Sequence, residues 1–359
     1  MIIRKHTRLL SLVAALAGPA AALAAPSYSV KFLPSDFTAH DINNAGQIVG
    51  NTRTEAWIWS DSGIVNLSAT KPGVNVYAIN NRGEAAGVFA GGASTAFIYS
   101  QGQFRDIGRP AGLNYATPFA INDSDQVTGT AGNFPGDTSR AFLYSNGNMT
   151  AIGTFGGDQS DGNGLNSKGV VVGSATLTPP SDSPRGEERG FVYQNGTLKQ
   201  IASPGAVVGP AYDINDAGAI VGGASFASTG LAQPFMYAGG VLSDLGGPAG
   251  TARGINNNGA IVGNWGQMDP QSDLTHAFLY RSGTFSDLNK LIVPTPGWTV
   301  TQAADINDSG QILATLCFGS TLDCRSARLD LVPAVPEPAS VAMLFGGLMA
   351  LVARRRIRK

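Results

Sequence analysis

Seven times the chain repeats one order of apolar and polar positions: an Ile or Leu, then Asn, then a small or polar pair with Gly, then a β-branched run that in most copies ends in Gly. The first copy reads Asp41-Ile42-Asn43-Asn44-Ala45-Gly46-Gln47-Ile48-Val49-Gly50, and its Asn returns at Asn80, Asn122, Asn166, Asn215, Asn256 and Asn307. The spacings of 37, 42, 44, 49, 41 and 51 residues suit a four-stranded propeller blade and are too long for a leucine-rich or β-helical coil.

The second half of each unit is equally regular. Ala96-Phe97-Ile98-Tyr99 is matched by Ala141-Phe142-Leu143-Tyr144, Gly190-Phe191-Val192-Tyr193, Pro234-Phe235-Met236-Tyr237 and Ala277-Phe278-Leu279-Tyr280, each followed by a Gly-containing turn and another strand. Each unit therefore reads as two hairpins, strands a to d. Asn suits the a-to-b turn because its side chain bonds to backbone two residues on, and Gly accepts the positive φ that follows. In strand c the Phe and Tyr share one face and the aliphatics the other, so both faces can be buried between neighbouring blades.

The last repeat stops after Ala327-Arg328-Leu329-Asp330-Leu331, one strand short, while an orphan strand over residues 28–33 precedes the first repeat. Pairing the two closes the ring without an exposed sheet edge. The expected fold is all-β, a seven-bladed β-propeller of four-stranded antiparallel blades over residues 25–333, closed by the N-terminal strand. In such a blade the short a-to-b and c-to-d turns share one end of the ring. The b-to-c and d-to-a loops share the other, and they hold the length variation, notably over residues 174–189, 223–233 and 264–275.

The two ends read differently. Arg4, Lys5 and Arg8 precede an apolar stretch over residues 9–17 and then Ala22-Leu23-Ala24, the pattern of a helical secretory signal peptide over residues 1–24. At the other end Val335-Pro336-Glu337-Pro338 leads into an apolar run over residues 341–353 and a basic cluster at Arg354, Arg355, Arg356, Arg358 and Lys359. As a transmembrane helix this run spans only about 20 Å against a hydrocarbon core of roughly 30 Å, a poor permanent anchor. Its basic tail favours the cytoplasm, with the body outside.

Pro336, Glu337 and Pro338, the short apolar helix and the Arg cluster resemble the PEP-CTERM sorting signal of Gram-negative bacteria over residues 334–359. The resemblance implies a transient partner, an exosortase-type membrane enzyme that removes the tail, and export across the inner membrane, usually in organisms that make extracellular polysaccharide. An uncleaved, slightly short anchor is the competing reading. The repeats themselves, above all Gly254-Ile255-Asn256, His276-Ala277-Phe278-Leu279-Tyr280 and Asp287-Leu288, resemble the HAF family of extracellular repeats. His276 is the only His at its seven equivalent sites, and that family supplies no catalytic residues to carry over.

Charge refines this picture. Setting aside the three basic residues of the leader, the five of the tail and Glu337 leaves 16 basic against 24 acidic residues, near −8. With no basic run, the body has no footprint for nucleic acid or for anionic polysaccharide. The two cysteines, Cys317 and Cys324, favour a disulfide in an exported protein, since neither Cys-x-x-Cys nor further zinc ligands are present.

Candidate binding residues lie on the loop-bearing face: Arg185, Glu187, Glu188, Trp265, Asp269 and Asp273, with Tyr77, Tyr115 and Tyr212 near the start of strand a. A Trp beside carboxylates suits a sugar, whose C–H face stacks on the ring while the acids accept its hydroxyls; a plain solvated rim is the competing reading. Asp213-Ile214-Asn215-Asp216-Ala217-Gly218 and Asp305-Ile306-Asn307-Asp308-Ser309-Gly310 are spaced like calcium loops. However, Ala217 and Ser309 occupy the fifth position and no closing acid follows, so turn chemistry is favoured and no metal or cofactor is expected.

The body has two histidines, His40 and His276, in unrelated settings, and no Gly-x-Ser-x-Gly. Glu187 and Glu188 point to opposite faces of an extended strand. The expectation is therefore a protein that is not an enzyme. It would be a cell-surface or secreted binding or structural component of the envelope or biofilm matrix, with extracellular polysaccharide or a surface protein as partner. The alternative is a polysaccharide-active lyase or hydrolase with its site in the propeller channel.

Overall fold

The computed structural model describes residues 27–91, 94–134, 136, 138–179, 186–266, 275–319 and 323–332. These form seven four-stranded antiparallel sheets. Six are built from consecutive hairpins; the seventh takes its outer strand from the beginning of the body, Ser27–Phe32, paired antiparallel with Cys324–Val332 from Ser27 opposite Val332 to Phe32 opposite Ala327. The N-terminal strand closes the last blade.

Strand a of the seven blades runs over Thr38–Ile42, Val74–Ile79, Tyr115–Ile121, Gly156–Leu165, Ala206–Ile214, Gly250–Ile255 and Trp298–Ile306. The strand-c phenylalanines Phe97, Phe142, Phe191, Phe235 and Phe278 are wholly buried, as is the strand-b pair Ile48 and Val49. A single blade exposes both faces, so this burial comes from blade leaning on blade. Core clusters accordingly mix residues of successive blades, as where Val49 and Ile58 meet Val76 and Phe97.

The repeated Gly at the end of strand b has a steric cause. A Cβ on Gly50, Gly87, Gly129, Gly173, Gly222 or Gly263 would lie 1.8–2.2 Å from a strand-a carbonyl oxygen. In five of the six it would also meet the ring of a phenylalanine within about 3.0 Å. Strand a presses its backbone onto strand b at this level because it carries an extra residue there.

Cys317 and Cys324 form a disulfide between directly opposed residues of strands b and c in the last blade. No helix among the described residues is long and apolar enough to cross a membrane. The expected signal peptide and C-terminal transmembrane helix, with Pro336, Glu337, Pro338, Arg354, Arg355 and Arg356, lie outside the described residues.

Candidate functional site: the two mouths of the ring

The extra residue is a β-bulge at the same place in all seven blades. The register of strand a on strand b shifts between Ala39 and Asp41, Val76 and Ala78, Pro118 and Ala120, Gly162 and Gly164, Ala211 and Asp213, Ala252 and Gly254, and Ala303 and Asp305. The residues left unpaired are His40, Tyr77, Phe119, Asn163, Tyr212, Arg253 and Ala304. A bulge re-aims the side chain it carries. Seven of them on the innermost strands turn a variable set of side chains toward the ring's interior, on the loop-bearing side.

A cavity of about 530 Å³ is walled by Phe119, Asn163, Tyr212 and Arg253 from this set, with Asn264, Gln302, Ala303 and Ala304. A second hollow of about 780 Å³ takes in His40, Tyr77, Asn51, Arg53 and Arg325. The Arg253 guanidinium lies 4.1 Å from the centre of the Tyr212 ring, and His40 packs at 5.2 Å from Tyr77. Burial pushes the His40 imidazole down and the Tyr77 hydroxyl up.

One residue further along strand a stand Asp41, Asp213 and Asp305, where the other blades have Ala78, Ala120, Gly164 and Gly254. The small residues make room: a Cβ on Gly254 would meet Asp305 Oδ1 at 2.9 Å. Asp41 accepts from Ile42 N and from Ile79 N of the next blade, both at 2.8 Å, and Asp213 does the same with Ile214 and Ile255. Asp305 accepts from Ile306 N at 2.7 Å and lies close enough to Asp41 that its charge helps push the Asp41 carboxyl up. Protein encloses all three, although each keeps part of its surface open. Burial pushes their carboxyls up, Asp213 to about 7, with the Asp305 charge adding to the rise at Asp41 and Asp213.

The turn-bearing mouth is built for closure. Every repeat Asn is buried and donates its Nδ2 to the carbonyl of the Asn in the next blade: Asn43 to Asn80, then to Asn122, Asn166, Asn215, Asn256, Asn307 and back to Asn43, at 2.8–3.2 Å. The same side chain's Oδ1 accepts from the backbone N–H four residues on, at 2.9–3.1 Å. Each Asn thus forms its own turn and fastens its blade to the next. The residues that follow, Asn44, Asn81, Asp123, Ser167, Asp216, Asn257 and Asp308, rim a space of about 210 Å³. Six of the seven links between them bind a backbone N–H to the next side chain at 2.8–2.9 Å, the break falling where Ser167 is too short to reach Asp123.

The loop residues singled out from sequence are placed as follows. Trp265 is half-buried at the end of strand b, 4.9 Å from the His276 ring, with its Nε1 enclosed and without a hydrogen-bond partner among the described residues. Glu187 is paired to Arg189, and Glu188 opens strand c opposite Thr176, its carboxyl pushed up by burial and then by the Asp161 charge. Arg185, Asp269 and Asp273 lie outside the described residues. Tyr77 and Tyr212 belong to the bulge ring, whereas Tyr115 sits earlier on its strand. Asn43, Asn80, Asn122, Asn166, Asn215, Asn256 and Asn307 each open an a-to-b turn, accepting at their own carbonyl from the backbone N–H three residues on. No group of three or more His, Cys, Asp or Glu suited to a metal occurs among the described residues.

Sequence reasoning missed the ring because a one-residue bulge leaves the repeat length unaltered. The signal was the recurrent strand-b Gly, which marks where the inner strand crowds its neighbour.

Residues 334–356 match the PEP-CTERM protein-sorting motif. The tail is therefore an export-sorting signal of the Gram-negative type, a substrate signal for an exosortase. No curated protein matches the chain significantly. Among solved structures, the chain is similar to the β-propeller domain of the trilobed protease from Pyrococcus furiosus, at 10% identity and TM-score 0.57 over 85% of this chain and 100% of that one. That domain is described as having an open velcro topology, whereas here Ser27–Phe32 closes the last sheet. Oligogalacturonate lyase from Vibrio parahaemolyticus is similar at 12% identity and TM-score 0.55, over 87% of this chain and 97% of that one. Acylaminoacyl peptidase from Pyrococcus horikoshii is similar at 11% and 0.52 over 86% of this chain, which spans about half (51%) of the peptidase chain.

These likenesses correct one expectation, that the protein is not an enzyme. Most of the similar structures are enzymes, so this is a fold on which catalytic sites are built. The sequence argument against catalysis counted histidines and linear motifs. A propeller gathers its groups from different blades, as it gathers Asp41 and Asp305, and no linear motif records that.

Proposed function

We propose that this exported propeller binds a saccharide of the envelope or extracellular matrix at its loop-bearing mouth. The carrying observation is the seven-fold bulge, which lines one cavity with aromatic faces, Phe119 and Tyr212, beside the amides of Asn163 and Gln302. Aromatic faces stack on pyranose C–H surfaces and amides pair with hydroxyls, the usual division of labour in a sugar site. The PEP-CTERM tail agrees with this setting. We read residues 1–24 as the removed leader, 25–333 as the working body with HAF-type repeats, and 334–359 as the segment lost on sorting.

A second reading, cleavage of the bound saccharide, is favoured by one observation. Asp41 and Asp305 come from different blades and both carboxyls are pushed up by burial, Asp41 further by the Asp305 charge, the kind of coupled carboxyl pair that general acid–base chemistry uses. Glycan-array binding by the exported protein, followed by a turnover assay on every sugar that binds, tests both. Binding that drops at least tenfold in Phe119→Ala supports the site, and unchanged binding in that variant removes it. Release of shorter sugars that stops in Asp41→Asn supports cleavage.

A further inference from the structure

We propose that Arg253, lying over Tyr212, is a subsite for a sugar carboxylate, so that the ligand class is a uronic-acid-containing saccharide. This rests on the saccharide reading above and narrows it.

Of the ten arginines among the described residues, Arg82, Arg105, Arg189, Arg325 and Arg328 pair with a carboxylate, Arg109 and Arg140 bond carbonyls, and Arg53, Arg253 and Arg281 do neither. Arg253 is held in place all the same. Its guanidinium carbon lies over Tyr212, 4.1 Å from the ring centre, and Arg253 is the bulged residue of its strand and lines the cavity.

A cation–π contact consumes none of the guanidinium's N–H donors, which leaves them for a planar carboxylate gripped through two parallel hydrogen bonds. Around it the side chains of Asn264 and Gln302 have no hydrogen-bond partner among the described residues, and exposed Phe119 offers a stacking face. A cavity of about 530 Å³ has room for one or two pyranose rings.

The body's net negative charge argues against a long polyanion track, as the sequence indicated, but not against one carboxylate at one pre-positioned arginine. The carboxyls nearest in sequence and ring order, Asp213 and Asp305, are pushed up by burial, which lessens their repulsion of an anion.

Calorimetric titration of the exported protein with tetramers of galacturonate, glucuronate and mannuronate, beside the same tetramers with their carboxyls reduced to alcohols, tests this. The expected result is that at least one acidic tetramer binds tenfold or more tighter than its reduced form. Arg253→Gln should bring the ratio of acidic to reduced affinity close to one while leaving the urea midpoint unchanged, and Arg253→Lys should restore only part of that ratio. Equal binding of acidic and reduced forms, or a difference that persists in Arg253→Gln, overturns the subsite but leaves saccharide binding standing. A sulfated neutral tetramer binding as tightly as the uronate overturns the carboxylate assignment. If no tetramer of either kind binds, the saccharide reading fails and the subsite with it.

Discussion

Arg328 crosses the seam where the ring closes and places its Nη2 2.9 Å from Asp61 Oδ2 in the c-to-d turn of the first blade. Register puts Arg328 in the strand-c slot that the other blades fill with Ile58, Ile98, Leu143, Val192, Met236 and Leu279. Its side chain is only 4% exposed. There it also bonds Asp330 Oδ1 at 2.7 Å and the Gly46 carbonyl at 3.1 Å, and lies 5.3 Å from the Trp59 ring. Lys31 of the closing strand reaches the same Asp61 at 2.5 Å. Among the seven equivalent strand-c slots, the one at the seam between first and last blade is thus where charge replaces aliphatic packing.

Breaking such a contact by removing one partner is costly, while replacing the whole group by apolar side chains is cheaper. Arg328→Leu is expected to lose about 2–3 kcal/mol, less than for a fully buried pair because Asp61 is 58% exposed and can rehydrate. Adding Asp330→Asn should recover a good part of that loss. Urea midpoints of both variants check this; a single variant as stable as the parent would show that the lock contributes nothing.

The Asn clasp makes a sharper prediction. Asn166, buried at 4% exposure, donates to the Asn215 carbonyl at 3.2 Å and accepts from Lys168 N and Val170 N at 3.1 Å each. Asn166→Asp keeps the acceptor but turns a carboxylate oxygen toward that carbonyl, at a cost of roughly 2–4 kcal/mol near neutral pH. Protonation restores a donor, so the folded state holds the new carboxyl above its ordinary value and the deficit grows as pH rises. Relative to the parent, Asn166→Asp should be markedly less damaged at pH 4.5 than at pH 7.5, whereas Asn166→Ala should be equally damaged at both. A pH-independent deficit in the Asp variant would mean that Nδ2 does not bridge the blades.

The repeat, the blade count and the closing strand were legible because each depends on local signals: Asn before Gly at a turn, alternation in strand c, and a missing strand at one end matched by a spare at the other. The second role of Asn43 and its counterparts was not legible, since the turn alone accounts for an Asn and the reach to the next blade depends on the angle between blades. Nor was the place of Arg328. Its repeat lacks the Ala-Phe-Leu-Tyr pattern, and only the pairing of Ile312 with Leu329 fixes which slot it fills. The loop candidates came from length variation, which finds elaborated loops but not the side chains that a bulge turns inward.

The three inner carboxyls make the stability of the ring depend on pH in a fixed direction. Unfolded, Asp213 titrates near 3.8, and folded near 7, chiefly through burial and then the Asp305 charge, against the N–H bonds of Ile255 and Ile214. Between those values the folded protein keeps a proton that the unfolded chain has lost. Stability from this group is therefore fully present at low pH, falls as pH rises from about 4, and levels off above about 7. The full shift corresponds to roughly 4 kcal/mol as an upper limit. Asp41 and Asp305, pushed the same way, add slope of the same sign. Urea midpoints at pH 4.5, 6 and 8 are expected to fall steadily in the parent and less steeply in Asp213→Asn, which has no proton to keep. A parent midpoint that stays level over this range, or a variant with the parent's slope, would mean that the Asp213 carboxyl is ionised in the folded ring.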